Sequence, residues 1–265
     1  MRDRRGLTLI EVLVTAALLL LLLGMVFPTL QSSRRSGQLL LCSANLKQLA
    51  VITETYVHAY RRYPQGFCSL SSCTQAAPAS GFAGHPTYDR PGWWWFDFLG
   101  VDRSAGGILW CPARRPMNSP FHDNLLWSNY GINLAVAKWA SVSDSGEFQG
   151  LSMTKEQILR PSEKMLYTDS GYGVISWKAA SGLPNPFDYN PLRHDSFYFP
   201  GLKINRIRTI HPEQQTDAID GRHPRAKSSV AYADGHVAAE KTERFAVQAD
   251  SEGNLKPSYF WTAGR

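Results

Sequence analysis

An apolar segment of 21 residues, Leu7 to Phe27, limits what this chain can fold into more than any other stretch. As a helix it would be about 30 Å long, the thickness of a bilayer's hydrocarbon core. Arg2, Arg4 and Arg5 precede it. Basic residues at one flank place that flank on the cytoplasmic side, so everything after Pro28 is expected outside the cytoplasmic membrane. Arg34 and Arg35 on the far side weaken the asymmetry slightly. Glu11 sits inside the segment, where a carboxylate costs about 2.5–3.5 kcal/mol at a bilayer centre. It lies one helical turn from Leu7, within reach of a charge at the segment's own start. An ordinary signal peptide is disfavoured, because Gly24-Met25-Val26-Phe27-Pro28 offers no small-residue cleavage site.

The run Gly6-Leu7-Thr8-Leu9-Ile10-Glu11, with its basic leader and apolar sequel, resembles the N-terminus of type IV pilins and pseudopilins. The resemblance implies that a prepilin peptidase cuts between Gly6 and Leu7 and methylates the new Leu7 amine. The family commonly begins its mature chain with Phe, from which Leu7 departs. It further implies that Glu11 pairs with the N-terminal amine of a neighbouring subunit during assembly. The implied partners are the prepilin peptidase, other pilin or pseudopilin subunits, an inner-membrane assembly platform and membrane lipid.

Beyond Pro28, which should bend or loosen a helix, a second pattern begins. Leu39, Cys42, Leu46, Leu49, Thr53, Tyr56 and Tyr60 recur at alternating spacings of three and four, one face of an amphipathic helix. The physical reading is one long helix, apolar all round in its first half and one-sided in its second, ending near Arg62 before Pro64. The expected fold is α+β, pilin-like: this helix packed on a small antiparallel sheet. The expected division is a leader at 1–6, a membrane and assembly helix at 7–28, its amphipathic continuation at 29–63, and an extracytoplasmic domain at 64–265. A polar, proline-bearing insertion without periodicity is expected at 171–222, since a loop of that length is usually a functional excursion.

Charge argues against one class of partner. The net charge is +6, and loss of residues 1–6 would leave +4. The basic residues form no stripe interleaved with aromatics, so nucleic-acid binding is not indicated. The four cysteines, Cys42, Cys68, Cys73 and Cys111, allow at most two disulfides in three full pairings. Cys68 and Cys73, around a short serine-rich loop, are the favoured pair. No second ligand pair sits at a spacing suited to zinc, and no metal or cofactor is expected.

Trp93-Trp94-Trp95-Phe96 is the loudest feature of the outer domain. Three consecutive tryptophans cannot all point inward in one helix or one strand, so at least one is expected exposed. Their favoured role is to fill a small core; the rival is a platform for a saccharide or other ligand, which would make the chain a membrane-anchored binding module. Ile108 to Pro112 reads as a short strand, Thr154 to Gln157 as a helical turn and 164–169 as a strand. Two apolar runs around Asp234-Gly235 read as a hairpin. No G-x-S-x-G or H-E-x-x-H motif appears, and an enzyme is not expected.

His223, Asp234 and Gly235 resemble the C-terminal His, nine residues, Asp-Gly motif of a large group of bacterial pilin-like proteins, although ten residues separate His223 from Asp234 here. Cys42 to Leu49, Cys111-Pro112 and Ser162 to Ser170 also resemble stretches of that group. His223, Asp234 and His236 offer one reading as a metal or acid/base cluster. The favoured reading is structural: Asp234 caps turn amides and His223 bonds the turn. Asp217, Asp220 and Asp234 are a thin set for calcium, which takes six to eight oxygens.

Overall fold

The computed structural model describes residues 8–69, 92–101, 107–118, 124–140, 146–181, 183, 196–248 and 251–262. Gly6, Leu7 and Cys73 lie outside the described residues.

Helix α1 runs unbroken from Leu9 to Tyr60, 52 residues, with Pro28 inside it, and is about 78 Å long. Leucine-rich sequence sustains its first half. Its N-terminus is closed by a capping box between Thr8 and Glu11, and its C-terminus by Arg61 in the left-handed region at φ 61°. Through residue 36 every described side chain on it is exposed. The buried stripe then begins: Cys42, Leu46, Leu49, Ala50, Thr53, Tyr56 and Val57. This is the predicted face except at its ends, where Leu39 is half-buried and Tyr60 is exposed and packs against the Tyr56 ring at 4.5 Å.

A short antiparallel pair, β1 (Phe67–Cys68) and β2 (Trp93–Trp94), leads into the helical turn α2 (Trp95–Phe98). The main sheet contains β3 (Tyr130–Asn133), β4 (Met165–Asp169), β5 (Val174–Ile175), β6 (Lys227–Tyr232) and β7 (Val237–Lys241), in the order β5-β3-β4-β6-β7. Four strands are antiparallel and β5 joins β3 in parallel. The long helix on a largely antiparallel sheet is the expected α+β architecture.

Helix α1 lies across β4, β6 and β7. Strand alternation sorts the core into two layers. Ala231 of β6 joins Leu46, Leu49, Tyr167 and Trp95 beneath the helix. Val230 and Tyr232 point to the other face, with Met165, Phe199, Phe245, Phe260 and Trp261. Both faces of the sheet are therefore covered.

Three expectations differ from the structure. Trp93, Trp94 and Trp95 are 6 %, 0 % and 1 % exposed. The backbone changes from strand to helix between Trp94 and Trp95, so the rings need not follow one periodicity. Ile108 to Pro112 forms turns rather than a strand; its carbonyls at Trp110 and Pro112 accept from Asn45 and Gln38 of the helix instead of a neighbouring strand. The 171–222 stretch contributes strand β5, helix α3 (Lys178–Ser181) and helix α4 (Gln215–Asp220). It also buries Tyr198, Phe199 and Leu202. Its elements are two to six residues long, too short for a periodic signal. The 3-10 turn at Lys155–Gln157 and the 165–169 strand stand where expected.

Candidate functional site

At the N-terminal end, Glu11 Oε2 accepts from both the backbone N–H and the Oγ1 hydroxyl of Thr8, each at 2.8 Å. Thr8 Oγ1 in turn accepts from the Glu11 N–H at 3.3 Å. Both described bonds to the carboxylate use Oε2, so the acid closes the start of its own helix. Around it, Leu9, Ile10, Val12, Leu13 and Leu18 to Leu23 lie on an uncovered helix surface. The helix is long and apolar enough to cross a membrane.

Residues 1–27 match the family model of the prokaryotic N-terminal methylation motif. This motif, followed by the long apolar helix, fits a type IV pilin-like protein. No curated protein and no solved structure matches the chain. Its motif is that of a precursor processed at the N-terminus by a prepilin peptidase and assembled with other pilin subunits. By length and composition the apolar helix can serve as the membrane anchor that such a motif accompanies.

A second constellation lies where α1 enters the outer domain. Cys42, on the helix, meets Cys111, in the turn before Pro112, with the sulfurs 3.0 Å apart. Asp169 closes β4 and sends Oδ1 to within 3.7 Å of Cys111 Sγ. Its Oδ2 accepts from the Ser229 N–H of β6 at 2.8 Å. His223 follows α4 and pairs Nε2 with Asp169 Oδ2 at 3.1 Å. Ligand atoms of all four residues lie within 4.8 Å of one another, and all four residues are buried.

Charge in this region is dense and paired. Burial alone would lower the pKa of His223, but Asp169 and Cys111 together outweigh it and push it up to about 10. Asp169 is driven upward by burial and brought below the usual carboxylate range by His223, Arg222 and the Ser229 N–H. Burial pushes the Cys111 thiol up. Arg222 binds Asp217 through Nε and a terminal nitrogen, each at 2.9 Å, and donates to the carbonyls of Asn129 and Ser170. Tyr198 donates to the same Asp217 at 2.6 Å.

The C-terminal motif residues part company. Asp234 Oδ1 accepts from the His236 N–H at 3.0 Å, and Gly235 takes φ 85°, so the Asp-Gly turn is held by its own aspartate as expected. His223 does not bond this turn; it belongs to the Asp169 cluster. The reason is topological: His223 precedes β6 while Asp234 follows it, so the strand's length separates them. Asp217 is engaged by Arg222, Asp220 pairs with Arg115 at 3.5 Å and Asp234 with His236. The three acids therefore face three different partners. Cys68 is disulfide-bonded; Cys42 and Cys111 are free thiols.

Sequence spacing did not show the four-residue cluster, because its members come from four distant segments. A signal was nevertheless present. Cys42, Cys111 and Asp169 all fall within stretches singled out by the second resemblance, as does His223. Those stretches also meet elsewhere: Asn45 bonds the Trp110 carbonyl at 3.1 Å and Lys47 the Gly235 carbonyl at 2.8 Å. The scattered residues describe one joint between helix and domain.

Proposed function

We propose that this protein is a structural subunit, a pseudopilin or minor pilin, of a filament of the type II secretion or type IV pilus kind. In this reading it is single-pass, with the N-terminus cytoplasmic and the outer domain in the periplasm or beyond. The observation that carries it is the methylation motif continuous with a helix whose first half is apolar and uncovered. Such a surface is costly in water, so it rests in lipid until helices of neighbouring subunits replace the lipid. Glu11 then pairs with the Leu7 amine of a neighbour, and that pairing neutralises two charges in an apolar bundle. The role is mechanical rather than catalytic.

The rival, a membrane-anchored saccharide-binding module, rested on an exposed tryptophan platform. Trp93, Trp94 and Trp95 are all buried, which removes its basis. Mass spectrometry of the N-terminus, on protein recovered from membranes and from sheared surface filaments, tests the filament reading. A chain beginning at methylated Leu7 and present in the filament fraction is expected. A chain that keeps residues 1–6 and occurs only as an isolated membrane species would overturn it.

A further inference from the structure

We propose that Cys42, Cys111, Asp169 and His223 form a structural zinc(II) site that fastens the anchor helix to the outer domain. The donor set is two sulfurs, one carboxylate and one imidazole, which suits a borderline-soft ion with tetrahedral preference. Bonds of about 2.0–2.3 Å place neighbouring ligands of such an ion roughly 3.3–3.8 Å apart. The separations here are 3.0 Å between the sulfurs and 3.1 Å between His223 and Asp169 Oδ2, a few tenths of an ångström inside those edges, and 3.7 Å between Cys111 and Asp169 Oδ1, within them; one ligand atom from each of the four residues lies within 4.8 Å of the others.

A second, independent feature points to a ligand. The His223 side chain is wholly buried and its Nε2 is ion-paired with Asp169 Oδ2, yet Nδ1 has no hydrogen-bond partner among the described residues. A buried polar group left unpartnered costs about 1–3 kcal/mol, and a metal bond removes that penalty at one nitrogen. A disulfide between Cys42 and Cys111 would account for the two sulfurs and leave the imidazole as it is. Zinc(II) with two thiolates, one carboxylate and a neutral imidazole carries one negative charge; the Arg222 guanidinium, bonded to Asp217, lies 4.0 Å from Asp169 Oδ1. Outer-shell order is in place as well: the Ser229 N–H holds Asp169 Oδ2, and Asn129 Oδ1 accepts from the Cys111 N–H at 3.0 Å.

A cavity adjoins the cluster at His223. His223 and Arg222 line a polar cavity of about 490 Å³ together with Arg35, Gln38, Arg115 and Asp220. Four protein ligands leave no open position for a substrate, so the site holds structure and does no chemistry. One ligand comes from α1 and three from the outer domain, so the ion closes the joint between the part of the chain in lipid and the part outside it. The inference is independent of filament assembly.

The full chain, purified in detergent without chelator, supplies the test. Metal analysis is expected to find one zinc per chain, with Cys42 and Cys111 alkylated only after denaturation. Cobalt(II) substituted for zinc is expected to give the visible bands and the thiolate-to-metal charge transfer of a tetrahedral sulfur site. Chelator is expected to lower the unfolding temperature by several degrees. Folded wild-type chain with well under half an equivalent of zinc after zinc reconstitution, or a Cys42–Cys111 crosslink in peptide mass spectra, would overturn the proposal. So would full zinc stoichiometry in a folded Cys42→Ser/Cys111→Ser variant. The wild-type metal content decides the matter even where the variants fail to fold.

Discussion

Glu11 bonds Thr8 twice through one carboxylate oxygen, to the N–H and the hydroxyl of the residue that caps its own helix. The acid thus has a local role that an assembly role must be separated from. Glu11→Gln retains an acceptor for Thr8 and removes the charge, whereas Glu11→Ala removes both. If charge pairing drives assembly, both variants insert into the membrane and neither enters filaments, as scored by immunoblot of sheared and membrane fractions. If capping is what matters, Glu11→Gln assembles normally and only Glu11→Ala fails, with a loss of helix stability of about 0.5–2 kcal/mol.

The Trp94 ring is fully buried, 4.6 Å from the ring of Phe67 and 5.6 Å from that of Tyr172. Among the described residues its Nε1 has no hydrogen-bond partner. Trp94→Ala is expected to destabilise the outer domain by about 3–5 kcal/mol through cavity formation. Trp94→Phe keeps most of the apolar bulk and removes an orphaned donor, so its cost should be well under half as large. Thermal melts of the three proteins in the same detergent check the ranking; equal losses for Ala and Phe would mean that the indole N–H is bonded after all.

What could be read in advance, and what could not, follows from how local each signal is. The stripe from Cys42 to Tyr56 and the Asp234-Gly235 turn depend on neighbours within a few residues, and both stand as predicted. The tryptophan run misled because a rule for one regular conformation was applied across the end of β2 and the start of α2. The segment around Cys111 looks like a strand because a short apolar run is stopped by Pro112, yet its carbonyls at Trp110 and Pro112 accept from Asn45 and Gln38 of the helix. The Cys42, Cys111, Asp169 and His223 cluster exists only after α1, β4 and β6 are assembled, and no spacing within one segment encodes it. His223 was placed at the hairpin by its motif; the length of β6 put it elsewhere.

Lys164 offers a pH test. Its side chain is fully buried, Nζ has no hydrogen-bond partner, and the Tyr259 ring is 6.0 Å away. Burial, partly offset by Glu147 and Glu163, lowers its pKa from 10.5 to about 8. A lysine depressed in the folded state binds its proton more weakly there than in the unfolded chain. It therefore penalises folding fully below pH 8, and the penalty fades as pH rises towards 10.5. Lys164→Met should stabilise the domain at pH 7 by on the order of 1–3 kcal/mol, and the gain should shrink by pH 10. Melting curves at the two pH values read this directly; a gain that is the same at both would assign it to packing rather than charge.

Arg222 sits between two acids, with Asp217 bonded bidentately and Asp169 4.0 Å away. Its side chain is wholly buried. Burial opposes its charge, and Asp217 more than compensates, so the guanidinium is held above its ordinary pKa. Removing one member of such a pair leaves a buried charge without its counterpart and costs about 3–5 kcal/mol. Arg222→Met should incur that loss, and Asp217→Asn a comparable one, because the guanidinium then keeps only the more distant Asp169. The double variant Arg222→Met/Asp217→Leu removes both charges at once, so its loss should be clearly smaller than the sum of the two single losses. A double-mutant cycle by chemical denaturation measures the difference. Strict additivity would show that the two side chains act independently and that the short contacts between them carry no coupling.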